Sequence, residues 1–509
     1  MTTTIALDPA RGLGLDHFHA IVCSNAHATL PPDALARMEA SRAVVEACLT
    51  DGKAHYGINT GFGSLARKRI SDSDVAALQR NLIRSHAAGV GAPLPAEIVR
   101  GMMLLLAASL GRGASGARPV VAQTILDMLN AQVTPAVPET GSVGASGDLA
   151  PLAHIALAAI GEGHVLTPSG VEPAADALAR AGIPPLSLQA KEGLAMINGT
   201  HLMAAQAALL ITRSLTLHDA AVAACCMSID AARATDTFLD TRVYHHRVHP
   251  GPARVAALMR DWLEHSQILP SHRVDDPRVQ DPYSFRCAPA VLGAAHDTLL
   301  YINTAVSHEL AAVTDNPLVF PATPSSPAAI VSAGNFHGMP IAIPLDVLSI
   351  AISHIAGISE RRTFWLLSAF EKESELPHYL TSTPALNSGL MIAQYTAAAA
   401  CNEIITLTTP ASPANISTSA GIEDYNSFGP RAAAKARRAL DLATSVVAIE
   451  FLCAAQGLEY HRPLKTGARL EQLHQRIRER VPRLTDDRSP APDIEAIRTL
   501  ISTGQLSRT

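Results

Sequence analysis

The sequence predicts an all-α protein organised around long helices, and three observations carry that expectation. Hydrophobic residues make up 48% of the 509-residue chain but aromatic ones only 4%, so alanine and leucine supply most of the apolar content, and both are strong helix formers. Apolar positions recur at intervals of three and four residues, the period of a helix face. The polar, glycine-flanked stretches fall between these periodic segments.

In chain order the helical pattern covers 32–50, 73–88, 95–110, 201–235, 289–313, 339–370 and 431–457. Several of these exceed the usual length of a globular helix. Alanine-rich helices this apolar need partners on more than one face, which implies a multi-helix bundle and an oligomer. Irregular stretches separate them at 56–68, 134–147, 161–174, 236–249, 270–284, 314–335 and 371–387, with short strands expected around 163–166 and in 329–332. A boundary near residue 200, where shorter helices and glycine-rich loops give way to long helices, divides the chain into 1–200 and 201–509.

Composition removes several function classes. Lys and Arg total 40 against 45 Asp and Glu, a formal charge of −5, without the basic excess that binding a phosphate backbone requires, so no nucleic-acid partner is expected. The seven cysteines (Cys23, Cys48, Cys225, Cys226, Cys287, Cys401, Cys453) are scattered with no Cys-x-x-Cys spacing and read as reduced, mostly core thiols. The N-terminus, MTTTIALDPARGLGLDHFHA, lacks a basic region followed by an apolar run, so a cytoplasmic protein is expected. The uncharged runs 379–402 and 404–422 contain proline, and the first also carries Asn387 and Gln394. Such composition suits a protein interior, and no membrane-spanning helix is expected. With no His-Glu-x-x-His or paired Cys/His spacing, no metal is expected either.

Polar chemistry concentrates in the loops: YGINTGFGS (56–64), NLIRSHAAGVG (81–91), GSVGASGD (141–148), INGT (197–200), QDPYSFRC (280–287), SAGNFHG (332–338) and STSAGIEDYNSFG (417–429). Loops on a rigid scaffold are where binding and catalysis tend to sit. Ser146 reads first as part of a helix N-terminus, with Asp148 beside it and Pro151 in the first turn. A second chemistry is open to it. If the Gly147 nitrogen is pressed against the Ala145 carbonyl carbon, a five-membered ring can close, and loss of water from Ser146 leaves an exocyclic methylidene. Glycine at 147 has no side chain to block that closure. Tyr56 is either an aromatic plug in a glycine-rich turn or a base whose ordinary pKa of about 10 must be lowered by its surroundings. Arg286 is either a structural ion-pair residue or a two-pronged clamp for a carboxylate. His86, Glu423, Asp424 and Asn426 read as helix-end, turn or capping groups.

Taken together, YGINTGFG, SHAAGVGAPL, GSVGASGDLAPLAH, KEGLAMINGT, VQDPYSFRC, TDNPLVF, GNFHG, ISERR, LNSGLMIAQ, STSA and EFLCAAQGLE resemble, in order and spacing over essentially the whole chain, the aromatic amino acid ammonia-lyase family and its histidine-specific branch. The resemblance implies an ammonia-lyase/fumarase-like fold, a long central helical bundle with a smaller N-terminal region. It implies that Ala145-Ser146-Gly147 cyclises unaided to a 4-methylidene-imidazol-5-one (MIO) group in that N-terminal region, with no metal or nucleotide. The helix after Asp148 would point its N-terminus at the ring. It further implies Tyr56 as the base for the β-proton, with Gly63 in its mobile loop. Arg286 would bind the substrate carboxylate, Asn198 and Tyr283 would position the amine, carboxylate and MIO oxygen, and Gln280, Asn335 and Phe336 would line the pocket.

The same resemblance places His86 and Glu423 against the substrate ring, implying elimination of ammonia from L-histidine to give trans-urocanate. Tyrosine-specific members carry their histidine one position earlier, where this chain has Ser85. Where histidine enzymes commonly read Asn-Gln-Glu-Asp-His, this chain has Gly421-Ile422-Glu423-Asp424-Tyr425. A 2,3-aminomutase, a phenylalanine or tyrosine ammonia-lyase, and a helical oligomer that only binds other proteins are the alternatives. Partners implied are a small amino acid and three further copies of the chain, a homotetramer whose active sites draw the Tyr56/MIO, Tyr283/Arg286 and Glu423 regions from more than one subunit.

Overall fold

A computed structural model describes residues 3–8, 10–61, 70–71 and 74–507. It is mainly helical, and the strands among the described residues form four two-stranded ladders. The chain divides into two compact units: one of Met1–Leu209, Asn303–Leu345 and Ala411–Ala433, the other of Leu210–Ile302, Asp346–Pro410 and Ala434–Thr509. The first therefore gathers two later segments of chain besides its N-terminal part.

In the first unit, helix Ala96–Gly111 is buried over almost its whole length and packs on Pro119–Asn130. On another face, the close approach of helices Leu15–Val22 and His201–Ala231 depends on Gly101, where an added Cβ would stand 2.8 Å from the Phe18 ring and 2.9 Å from Ala205. All four ladders belong to this unit. His164–Thr167 and Ala329–Val331 occupy the expected strand positions, but each pairs with its own neighbour in the chain, Gly170–Pro173 and Leu318–Phe320 respectively. The two others join Thr4–Ala6 to His27–Thr29 and Val90–Pro93 to Pro138–Thr140.

The second unit holds most of the length of the long helices His201–Ala231, Ala288–Leu310, Met339–Ser368 and Gly429–Leu458, together with Met391–Leu407. Three helices, His201–Ala231, Met339–Ser368 and the run Gly429–His461, are long and apolar enough to cross a membrane by length and composition, and 67–83% of each apolar window is buried within the protein. The uncharged runs 379–402 and 404–422 instead become short 3-10 turns and the helix Met391–Leu407. Of the cysteines, only Cys225, Cys226 and Cys453 are buried, so the expectation of mostly core thiols holds for three of seven. The others lie at helix ends or on half-covered faces, where periodicity alone does not fix depth.

Inside the second unit, Glu450 is fully enclosed and accepts from Arg362 at 2.5 and 2.8 Å, from Ser228 at 2.8 Å and from Ser359 at 2.6 Å. The set is satisfied only as a whole. Glu450→Gln is expected to cost about 3–5 kcal/mol by stranding the buried guanidinium, read as a clear fall in the urea midpoint. Replacing Arg362 and Glu450 together by Met should recover much of that loss. An unchanged midpoint for Glu450→Gln would refute the assignment.

Candidate active site

The loop around Ser146 is held on every side by its own unit. Gly144 and Gly147 take φ of +68° and +71°, a region that costs other residues strain. A Cβ on Gly147 would overlap the Gly199 carbonyl, and one on Gly144 the Ser427 hydroxyl. Gly147 bridges Gly199 directly, and the Asp148 N–H donates to the Gly199 carbonyl at 2.7 Å. On the other side the Gly144 carbonyl accepts from the Ser427 hydroxyl at 2.9 Å and the Gly338 N–H at 3.3 Å, while the Phe428 N–H donates to Val143 at 2.9 Å.

The helix after this loop runs Leu149–Ala159, with Pro151 in its first turn. Asp148 stands at its N-cap position without capping it. Its carboxylate accepts instead from the backbone N–H groups of Leu202 (2.9 Å) and Met203 (3.1 Å), at the start of a different helix, and from the Ser142 hydroxyl (2.9 Å). Burial pushes the Asp148 pKa up to about 7 against those hydrogen bonds. The acid thus ties the Ser146 loop to the start of helix His201–Ala231, a role that no local pattern could reveal.

Ser146 opens onto a cavity of about 440 Å³ lined also by Tyr56, His86, Asn198 and Glu423. Five predicted site residues are therefore brought together, with Ala145 and Gly147 in the adjoining wall. Leu78, Leu82, Leu149 and Leu194 make much of the remaining surface apolar. Tyr56 sits in a turn framed by Asn59, whose amide donates to the Lys53 carbonyl at 2.9 Å and accepts from the His55 N–H at 2.7 Å. Ile58 anchors that turn in a buried cluster with Val45, Val75, Ala190 and Val319.

His86 ends the helix Val75–His86. Its Nδ1 lies 2.9 Å from the Leu82 carbonyl, which can only accept, so Nδ1 carries the proton and Nε2 offers a lone pair. Burial lowers its pKa and keeps the ring neutral near pH 7. Glu423 uses both oxygens: the Ser146 hydroxyl donates to Oε1 at 2.5 Å and the Thr418 hydroxyl to Oε2 at 2.8 Å. Asn198 Oδ1 is buried with no hydrogen-bond partner among the described residues.

The remaining expected residues stand elsewhere. Asn335 donates to the Val313 carbonyl at 3.0 Å and Phe336 is half-buried; neither lines this cavity, although their loop touches Gly144 and, through His337, the Tyr425 carbonyl at 3.1 Å. Gln280, Tyr283 and Arg286 belong to the second unit. There the Arg286 guanidinium lies 4.4 Å from the Tyr283 ring centre and donates from Nε to the Asp281 carbonyl at 2.9 Å. Gln280 and Arg286 line a separate cavity of about 480 Å³. Gly63 lies outside the described residues. A single chain supplies Tyr56, Ser146 and Glu423 to this cavity, because the loop carrying Glu423 folds back onto the Ser146 loop.

The sequence profile of aromatic amino acid lyases matches residues 13–479. The chain belongs to the aromatic amino acid lyase family. It is 46% identical to a histidine ammonia-lyase of Anaeromyxobacter sp. (strain K), covering 99% of both chains. Its fold matches the histidine ammonia-lyase of Trypanosoma cruzi with a TM-score of 0.90 at 37% identity, over 99% of this chain and 94% of that one. A tyrosine aminomutase from Streptomyces globisporus matches with a TM-score of 0.92 at 31% identity, over 99% and 98%. The same fold is thus shared by relatives named as an ammonia-lyase and as an aminomutase.

Proposed function

We propose that this protein is a carbon–nitrogen lyase that converts L-histidine to trans-urocanate and ammonia. The observation that carries the reading is the convergence of His86 and Glu423 on the cavity into which Ser146 opens. A neutral imidazole carries one N–H donor and an imidazolium two, and here the neutral His86 Nε2 and the Glu423 carboxylate offer acceptors for them beside the leucines of the cavity wall. A phenyl ring offers neither of them a donor.

The residues present also fit an MIO group. Gly147 packs where no side chain has room, Ser146 stands exposed to the cavity, and Asn198 holds an unpartnered acceptor beside it. Such a group, formed from Ala145-Ser146-Gly147, supplies an electrophile that turns the substrate's amino group into a leaving group. The chain's own side chains do the rest. Asn198 Oδ1 accepts from the substrate ammonium, Tyr56 takes the proton from the β-carbon, and His86 with Glu423 orients the ring so that this proton faces the phenol. The apolar leucines exclude water and strengthen each of these polar contacts.

No Arg or Lys lines this cavity among the described residues, and Arg286 with Tyr283 is the pair suited to the substrate carboxylate. Their supply by a neighbouring copy in a homotetramer is supported by large apolar side chains left exposed on long helices of the second unit, among them Tyr301 at 52%, Ile392 at 53% and Tyr395 at 59%. Purified protein offered histidine, phenylalanine and tyrosine should favour histidine by about 10²-fold or more in kcat/KM, with urocanate as product. Equal use of phenylalanine or tyrosine would overturn the assignment. The fold shared with a tyrosine aminomutase makes β-histidine the second product to assay.

A further inference from the structure

We infer that Cys48, Asp51 and His55, at the end of helix Pro32–Thr50, form a binding site for one divalent transition-metal ion of the zinc class. One ligand atom from each (thiol sulfur, carboxylate oxygen, ring nitrogen) lies within 4.8 Å of the others. Cys48 occupies the last turn of the helix, Asp51 is the residue that follows it, and His55 lies in the turn beyond. Thiolate, imidazole and carboxylate together select a borderline ion such as zinc over magnesium or calcium, which prefer oxygen alone.

The geometry is close to what such an ion requires. Bonds of about 2.0–2.3 Å to N, O and S place tetrahedral ligands roughly 3.3–3.7 Å apart. Rotation of three side chains that are exposed or half-exposed closes the remaining distance. His55 Nε2 already lies 2.8 Å from Asp51 Oδ2, so the ion would take the place of the proton shared between them. Asp51 is held below the usual carboxylate range, chiefly by the Lys53 backbone N–H and then by His55, and is ionised and ready. Burial raises the Cys48 thiol, and the metal displaces its proton on binding. The carbonyl end of the helix adds a negative pole, set against the positive charge of Lys53 near Asp51. Three protein ligands leave a fourth position to water.

The site adjoins the cavity through the chain itself, since His55 precedes Tyr56. Under the proposed reading of Tyr56 as the base, an ion here would stiffen the turn that carries it. The test does not depend on that reading. Metal-free protein, kept reduced without added thiol, is titrated with Co²⁺ and followed by absorbance. The expected result is one equivalent per chain, with a sulfur-to-cobalt charge-transfer band in the near ultraviolet that Zn²⁺ abolishes. Cys48→Ser should remove that band, and Asp51→Asn and His55→Gln should each weaken binding by about tenfold or more. Cys23, whose sulfur lies 3.7 Å from His19 Nδ1, provides the control: Cys23→Ser should leave the spectrum unchanged. A spectrum without the sulfur band, or a band that survives Cys48→Ser, would overturn the site.

Discussion

Ser146→Ala is expected to abolish turnover, by at least about 10³-fold, the scale on which loss of a covalent catalytic group is felt. Its intact mass should equal that of its own sequence, whereas the wild-type chain should weigh two water molecules less than its sequence. One water leaves as the Gly147 nitrogen bonds to the Ala145 carbonyl carbon, the other as Ser146 loses its hydroxyl. The structure supplies the conditions for both. Gly147 is confined against Gly199 in a backbone conformation only glycine adopts freely, so its nitrogen has few alternative placements. Dehydration moves the Ser146 α-proton onto the departing hydroxyl, and Glu423, hydrogen-bonded to that hydroxyl, is the group placed to carry it. A wild-type chain of unmodified mass, or a Ser146→Ala variant that keeps its activity, would remove the basis of the proposed chemistry.

How much of this was legible beforehand depended on distance along the chain. The long helices announced themselves: the segments 32–50, 201–235, 339–370 and 431–457 became Pro32–Thr50, His201–Ala231, Met339–Ser368 and Gly429–Leu458. Each shows a run of apolar spacing long enough to stand out. Helix Leu149–Ala159 was signalled only by its start, Asp148 and Pro151, because Ala150, Leu152, Ala153, Ile155 and Ala156 are all buried and give little polar face to set a period. Helix Glu192–Ile197 is buried throughout for the same reason.

The site divides along the same line. Ala145-Ser146-Gly147 is contiguous, and its glycines speak for themselves. The meeting of Ser146 with Glu423 joins residues far apart in sequence, and only a family resemblance pointed to it. The anchoring of Leu202 and Met203 by Asp148 and the support of Glu423 by Thr418 had no local signal at all. Cys48, Asp51 and His55 stand at i, i+3 and i+7, a spacing visible in the sequence but meaningful only once the helix is seen to end between the first and the second.

Glu423→Gln separates two functions that the geometry joins in one side chain. Its carboxylate holds the Ser146 hydroxyl through one oxygen and Thr418 through the other, and it also borders the space where the substrate ring is proposed to lie. Glutamine keeps the shape and one acceptor but loses the charge. An imidazole N–H then meets a weaker acceptor or a second donor, which should lower kcat/KM for histidine by about 10–10²-fold, the worth of a hydrogen bond to a charged group. Residual turnover of phenylalanine, which has no ring donor, should hardly change. Mass resolves the other half: if the variant still lacks two waters, ring closure does not depend on the Glu423 charge, and the kinetic loss reports substrate recognition alone. Equal losses on both substrates with a closed ring would place Glu423 in the common chemistry rather than in recognition of histidine, while a variant of unmodified mass would show that Glu423 is needed first for ring closure.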